Sequence, residues 1–235
     1  MNLSAEHLVT VGVIAAVTIA LVGAARLRPG RWIDTAATVL GLVIVVNEAS
    51  YYIWIGLRGQ FDVSWALPVQ LCDVASVTTA LALWFRNQIM VELTYFWGIA
   101  GTANGLLTPD ISDHWPSYPY IQYFVQHGGI PCAALFLVVG LRITPTTWAV
   151  ARVYGLTFLL LLADAFVNLL TNGDYMYLRR PPGVKNLLDL MGPWPWYIAG
   201  AAILALFLFI VLDAPFKISA LARARSRTSP YPPPA

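Results

Sequence analysis

The sequence predicts an all-α fold, a polytopic membrane helix bundle of about seven transmembrane helices. Two observations predict it. Of the 235 residues, 58% are hydrophobic and only 11% are charged, whereas an ordinary soluble domain has about 25% charged residues. Long apolar stretches also recur along nearly the whole chain, and each is close to the roughly 20 residues that a helix needs to cross a bilayer. This composition excludes a soluble globule.

Apolar runs bounded by charged residues, Pro or Gly predict the helices in order. They lie at residues 8–25, 33–57, 65–85, 89–107, 121–143, 147–171 and 194–213. The first run follows Glu6 and His7 instead of a basic region and lacks a clear cleavage site, so we expect a retained span and not a signal peptide. We predict one transmembrane domain over residues 1–216 and a basic, proline-rich disordered tail over residues 217–235.

The distribution of positive charge predicts the orientation, because Lys and Arg are retained on the cytoplasmic side. Of the 14 Lys and Arg residues, ten lie in the first, third and fifth connections and in the tail, and four lie on the other side. We therefore expect a multi-pass protein of the plasma membrane with its N-terminus outside and its C-terminus in the cytoplasm. The longest connections, 108–120 and 172–193, then lie outside, and their Trp, Tyr and Pro residues are typical of lids or interfacial belts.

Charge and cysteine content limit which classes of binding partner we expect. The formal net charge is +2, and no basic stripe interleaved with aromatic residues is present, so we expect no nucleic-acid partner. Cys72 and Cys132 both lie inside apolar runs, where two thiols do not reveal the redox compartment. We expect neither a cofactor nor a metal. The oligomeric state stays open.

Polar residues inside the predicted helices gather in the outer half of the bilayer. Such groups are costly in hydrocarbon, so each is a functional candidate or a paired structural group. At a rise of about 1.5 Å per residue, Cys72 and His127 both lie roughly 10 Å below the outer surface. Glu92, at the inner start of the fourth helix, is explained by the helix dipole. The supporting candidates in the outer half are Asn47, Glu48, Asp73, Asn104, Asp164 and Asn168.

Cys72 and His127 at equal depth predict acyl transfer. A thiol needs a base to take its proton, and an imidazole can later return that proton to a leaving group. We expect the sulfur and a ring nitrogen within about 6 Å of each other in one cavity that opens to the outer leaflet. Asp164, Asn168 or Glu48 could orient the imidazole, and the sequence does not choose among them. Because lipid ester carbonyls lie at this depth, a membrane phospholipid or fatty-acyl group is the expected substrate.

Several short segments together resemble the YwaF-type bacterial integral membrane family. That family is related to the eukaryotic transmembrane ether-phospholipid acyltransferases and, more distantly, to androgen-induced membrane lipid hydrolases that use a Thr and a His. The resemblance covers about residues 45–215 and implies cysteine-dependent acyl transfer at Cys72, with His127 in the place of the hydrolase histidine. The matching segments are 67–73 (LPVQLCD), 86–88 (RNQ) with Glu92, 95–98 (YFWG), 107–110 (LTPD), 127–128 (HG), 168–172 (NLLTN), 175–178 (YMYL), 187–189 (LLD) and 192–197 (GPWPWY).

Two other functions fit a layer of polar groups in the membrane. A transporter or lipid-binding protein would use it to bind a solute or relay protons without covalent chemistry. A structural subunit would use it to hold helices together. A transporter needs polar groups at both depths, and here the inner half is almost purely apolar apart from Glu92. This asymmetry favours a one-sided site and an acyltransferase or hydrolase.

Overall fold

The computed structural model describes residues 4–109, 111–181 and 187–228, which form helices and connecting turns with no β-strand among them. The predicted all-α class is confirmed. Short 3-10 turns at Tyr175–Tyr177 and Leu187–Met191 separate the last two helices. The α-helices are α1 Ala5–Leu27, α2 Trp32–Leu57, α3 Leu71–Phe85, α4 Gln88–Phe96, α5 Asn104–Leu107, α6 Tyr118–Leu135, α7 Ala149–Thr171 and α8 Trp196–Thr228.

Five helical segments are long and apolar enough to cross a membrane. They are α1, α2, α7, α8 and the continuous stretch Tyr118–Gly140 that contains α6. Large apolar side chains on these helices are exposed, among them Val17 on α1 and Leu159 and Phe166 on α7. Exposed apolar surface of this extent would be unfavourable in water and is expected where lipid surrounds the helix. The chain is therefore a membrane protein; the count of seven spans and the orientation stay predictions.

The segment predicted as one helix over residues 89–107 is interrupted, which corrects the prediction. α4 ends at Phe96, a π-helical turn follows at Trp97–Thr102, and α5 forms a last short turn. The cause is local, since two glycines in this turn weaken the helix and admit neighbours. A Cβ at Gly98 would lie 3.2 Å from Ile130 of α6, and one at Gly101 would lie 2.7 Å from Leu71 of α3. The interrupted segment packs in the centre of the bundle, where Phe96 is fully buried.

The third helix begins at Leu71 and not at residue 65 as predicted. The Gln70 backbone N–H donates to Asp73 Oδ2 over 3.1 Å, an interaction that fixes a helix start. Pro68 stands just before this start and disfavours helical geometry at the residue ahead of it. As a result Cys72 lies in the first turn of α3, and the predicted depth of about seven residues inside that helix is corrected.

The last helix continues through Thr228 and so extends past residue 217, where the tail is predicted to begin; the domain and tail boundary stays a prediction. Lys217 lies within α8. Its Nζ donates to the Thr147 carbonyl over 2.8 Å, just before α7, and pairs with Asp213 of α8 at 3.4 Å. Residues 229–235 of the predicted tail lie outside the described residues. Pro195 directly precedes α8, and its neighbours Trp194 and Trp196 are both exposed.

Glu92 is part of a buried ion pair that joins α4 to α7. Its side chain is fully buried, and Oε2 lies 2.6 Å from Arg152 Nη1. Its Oε1 accepts from the Thr146 N–H at 2.9 Å and from the Thr146 hydroxyl at 2.7 Å. The helix-dipole role expected from the sequence therefore explains Glu92 only in part. Its ion-pair partner on α7, Arg152, becomes identifiable only from the packing of the helices. Breaking such a pair leaves a buried charge unpaired, which costs about 3 to 5 kcal/mol.

Candidate functional site

A cavity of about 780 Å³ lies among α2, α3, α5 and α6 and contains both Cys72 and His127 on its wall. We call it the Cys72 cavity. Aromatic side chains and two carboxylates share this wall, and none of the described residues that line it is Lys or Arg. The other lining residues are Glu48, Tyr51, Tyr52, Trp65, Ala66, Leu67, Gln70, Leu71, Asp73, Asn104, Ile111, Pro119, Gln122, Tyr123, Gln126, Met176 and Tyr177.

Cys72 stands at the N-terminal end of α3. The first N–H groups of an α-helix have no carbonyl partner within the helix, and here they belong to Leu71 and Cys72. Backbone N–H groups at such an end stabilise negative charge on a nearby oxygen. Thr102, on the π-helical turn, lies near the thiol.

The His127 imidazole is held in one orientation by α6 itself. Its Nδ1 lies 2.9 Å from the Tyr123 backbone carbonyl, which can only accept, so Nδ1 carries the proton. Nε2 is then the nitrogen with a free lone pair. The Tyr123 ring stacks on the imidazole at 4.1 Å. Gly105 of α5 packs closely against the ring, because a Cβ there would lie 2.2 Å from His127 Cδ2.

His127 Nδ1 has a backbone partner, the Tyr123 carbonyl, and not a side chain of one of the three candidates for orienting it. Asp164 and Asn168 do not line the Cys72 cavity, and Glu48 lines it but bonds elsewhere. A helix can position an imidazole through its own carbonyl one turn earlier, a geometry that a search for acidic partners overlooks.

Glu48, which is buried, and Asp73, which is half-buried, form an acidic pair beside the cysteine. Gln126 of α6 bridges them, since its Nε2 lies 2.6 Å from Glu48 Oε2 and 3.4 Å from Asp73 Oδ1. The Ser76 hydroxyl donates to Glu48 Oε2 over 3.1 Å. Two carboxylates this close repel each other when both are charged, so shared hydrogen-bond donors stabilise the pair. The pair links α2, α3 and α6 on the wall of the cavity.

The remaining members of the predicted polar layer have structural partners or lie apart. Asn47 Nδ2 donates to the Gln122 carbonyl over 3.1 Å, and Asn104 Nδ2 donates to the Ala100 carbonyl over 2.8 Å. Asn168 brackets the backbone of Tyr175, with its Oδ1 accepting from the Tyr175 N–H at 2.7 Å. Asp164 is fully buried, and neither carboxylate oxygen has a hydrogen-bond partner within the part of the chain that the structure describes.

Two connecting segments meet at the rim of the Cys72 cavity. Tyr175, which is 1% exposed, donates its hydroxyl to the Val63 carbonyl over 2.8 Å and accepts from the Leu67 N–H over 2.9 Å. The next N–H, at Met176, donates to Gln70 Oε1 over 3.2 Å. The segment after α7 is thereby fastened to the segment before α3. Burial also raises the pKa of the Tyr175 hydroxyl.

Two exposed groups outside the helices have perturbed acidities. The Glu6 carboxylate, hydrogen-bonded to His114, raises the pKa of that imidazole. The pKa of Asp62 is lowered, because its carboxylate accepts a hydrogen bond from the Ser64 N–H over 2.8 Å. Both lie on connections and not on the cavity wall, so they bear on stability against pH and not on chemistry at Cys72.

Sequence reasoning missed several residues of the site. Gln126, Tyr123 and Gly105 hold the acids and the imidazole in place. Gln126 was detectable as an uncharged polar residue directly before His127 in an apolar helix. Tyr123 and Gly105 carried no comparable signal, because an aromatic ring and a glycine are common in any membrane helix. Across the described residues, no group of three or more His, Cys, Asp or Glu side chains could hold a metal ion.

Comparison with known proteins gives one family. No curated protein and no solved structure matches the chain. The family model of the TMEM164 family matches residues 2–213 and so includes α1 to α7, both sides of the Cys72 cavity and most of α8. The chain is a membrane protein that belongs to the TMEM164 family.

Proposed function

We propose that this protein is an integral membrane lipid acyltransferase or hydrolase in which Cys72 is the nucleophile and His127 the base. The observation that carries the proposal is that the two side chains, from α3 and α6, line one cavity while His127 Nδ1 is bonded to the Tyr123 carbonyl. This bond leaves Nε2 as the proton acceptor. The resemblance to ether-phospholipid acyltransferases stated above agrees with this chemistry at Cys72.

The surroundings of the thiol make a base necessary. Cys72 is half-buried and next to the acidic pair of Glu48 and Asp73, and both burial and like charge disfavour a free thiolate. The proton must therefore leave the sulfur as the sulfur attacks. An imidazole with a free nitrogen in the same cavity can accept it, and base catalysis of this kind contributes typically about 10²- to 10⁴-fold.

The reaction has two balanced steps. In the first, Cys72 Sγ attacks the acyl carbonyl carbon of a lipid ester, the C–S bond forms, and the ester C–O bond breaks. The thiol proton passes to His127 Nε2 and then to the departing alkoxide oxygen, which leaves as a hydroxyl. In the second, the oxygen of a lipid hydroxyl or of water attacks the thioester carbonyl carbon, the new C–O bond forms, and the C–S bond breaks. The proton of that hydroxyl or water passes through His127 back to the sulfur. The Leu71 and Cys72 N–H groups would stabilise the oxyanion in both steps.

Intact-protein mass spectrometry tests the first step. The purified protein is incubated with phospholipid in bilayers, and we expect a mass increase of one acyl group that is absent in Cys72→Ser. Cys132→Ala is the matched control, because Cys132 is a buried thiol on α6 that borders a different, apolar cavity. An acyl adduct that persists in Cys72→Ser or disappears in Cys132→Ala would refute Cys72 as the nucleophile.

A second candidate function is a transporter or lipid-binding protein with no covalent chemistry. Asp164 favours it, since a fully buried carboxylate without a hydrogen-bond partner among the described residues is typical of proton-binding sites in membranes. Asp164→Asn separates the two functions. Loss of solute or lipid uptake into proteoliposomes in Asp164→Asn, together with unchanged uptake in Cys72→Ser, would favour the transporter over the enzyme.

A further inference from the structure

Three arginines from distant parts of the chain line a second cavity of about 520 Å³. Arg26 lies in the last turn of α1, Arg86 in the link between α3 and α4, and Arg142 just after the helical stretch that ends at Gly140. We call this the arginine cavity. Since α3 carries Cys72 in its first turn and Arg86 directly after its last residue, the two cavities lie at opposite ends of that helix, about 21 Å apart along it.

The positive charge of the arginine cavity is only partly neutralised. Arg86 forms an ion pair with Asp34 of α2. No hydrogen bond or ion pair engages the side chain of Arg26 or Arg142 within the part of the chain that the structure describes. Both side chains are exposed, so their charges are available to a ligand. Three cations against one carboxylate give the cavity a net positive charge.

The backbone at two of the three arginines is unusual. Arg86 has φ +50° and Arg142 has φ +62°, in the left-handed region that L-residues rarely occupy. Left-handed residues often end helices, but glycine or asparagine is the usual choice there. Strained positions of this kind are kept at ligand sites more often than elsewhere. At both positions an arginine turns its side chain toward the same cavity.

The rest of the wall is apolar. Pro29, Ile33, Leu141 and Ile143 line it beside the arginines. A guanidinium binds the oxygens of a phosphate through two parallel N–H donors, while an apolar wall excludes a small hydrated anion from most of the cavity. The combination suits a ligand that carries both a phosphate and hydrocarbon. Basic pockets between membrane helices are known to receive such headgroups.

We propose that the arginine cavity binds the phosphate headgroup of an anionic phospholipid, separately from the chemistry at Cys72. The phosphate oxygens accept hydrogen bonds from Arg26 and Arg142, and the glycerol and first methylenes lie along Ile33 and Ile143. In the predicted orientation this site faces the cytoplasmic leaflet, where anionic lipid is concentrated. The site stands independently of the proposed acyl transfer, because no residue lines both cavities.

Lipid titration of the full-length protein in a zwitterionic detergent tests the proposal. The probes are dioctanoyl phosphatidic acid, dioctanoyl phosphatidylcholine and inorganic phosphate, and the readout is the thermal midpoint against probe concentration. We expect saturable stabilisation by dioctanoyl phosphatidic acid. Arg142→Gln and Arg26→Gln should each raise its apparent Kd about tenfold or more, the loss expected from one charge-assisted hydrogen bond.

Arg28→Gln is the matched control, since Arg28 lies two residues after Arg26, is exposed, and does not line the cavity. It should leave the apparent Kd within about twofold. Equal weakening by Arg28→Gln would mean that diffuse positive charge binds the lipid, and the site would be refuted. Equal stabilisation by inorganic phosphate would overturn the assignment to lipid, and equal stabilisation by dioctanoyl phosphatidylcholine would overturn the preference for an anionic headgroup.

Discussion

The Cys72 cavity and the arginine cavity lie at opposite ends of α3 and have opposite charge. The Cys72 cavity carries Glu48 and Asp73 on its wall, and the arginine cavity carries three guanidinium groups. Both also contain strained backbone. Of the five described non-glycine residues with positive φ, four line one of these two cavities, Arg86 and Arg142 at one end and Met176 and Tyr177 at the other.

The comparison shows that one apolar bundle keeps an acidic cavity and a basic cavity apart, at the two ends of one helix. Left-handed backbone costs about 1 to 2 kcal/mol per residue, so the loop geometry at these four residues is held by other contacts. At the Cys72 end those contacts come from Tyr175 and Gln70. At the arginine end the Asp34 carboxylate contributes one. Mutations should therefore affect the two ends separately.

The largest effect is expected from His127→Ala. Loss of the proton acceptor should lower acyl transfer by about 10²-fold or more while leaving lipid binding at the arginine cavity unchanged. The measurement is release of lysophospholipid and fatty acid in purified bilayers, run beside a thermal melt. Arg142→Gln should show the reverse pattern. If His127→Ala melts early yet turns over normally, the imidazole only satisfies the Tyr123 carbonyl and the catalytic assignment fails.

Gly105→Ala should have the second-largest effect on acyl transfer, because it moves the imidazole without removing it. The new Cβ would lie 2.2 Å from His127 Cδ2, so the ring must shift, and misplacement of a catalytic group by about 1 Å can cost about 10²-fold. Gly12→Ala in α1 is the control, since a Cβ there has no neighbour within 4 Å. Normal turnover in Gly105→Ala would show that the position of the ring does not matter for the reaction.

Tyr175→Phe should destabilise the Cys72 end and spare the arginine end. It removes the hydroxyl that serves both the Leu67 N–H and the Val63 carbonyl, and unsatisfied buried groups cost about 1 to 3 kcal/mol. A thermal melt measures the loss. Tyr154→Phe, which removes one bond to the Ala202 carbonyl, should cost less. An equal or larger loss in Tyr154→Phe would contradict the proposed role of Tyr175 in fastening the segment after α7 to the segment before α3.

The smallest effect concerns pH and lies outside both cavities. Because Glu6 raises the pKa of His114 above its ordinary 6.5, the protonated imidazole stabilises the folded state. That contribution is complete below 6.5 and disappears as the pH rises through the folded pKa. The difference in melting temperature between wild type and His114→Gln should therefore be larger near about pH 5.5 than near about pH 8.5, and should shrink in salt. A difference that grows with pH would contradict the assignment.

The sequence by itself determined the fold class and most helix positions. Helix formation depends on hydrogen bonds within one segment and on apolar runs of about 20 residues, so composition and spacing suffice. The apolar runs predict α1, α2, α6, α7 and α8 to within a few residues at most of their ends, although α8 extends well past its predicted end. Cys72 and His127 also stood out, because a thiol and an imidazole in apolar helices are uncommon.

Tertiary structure alone decided how these groups meet. The π-helical turn packs against Leu71 of α3 and Ile130 of α6. Gln126 joins Glu48 to Asp73 across three helices. Arg26, Arg86 and Arg142 converge from links that are far apart in the chain. Contacts between residues so distant in sequence are set by how helices pack, and hydrophobic periodicity contains no information on which neighbours a helix selects.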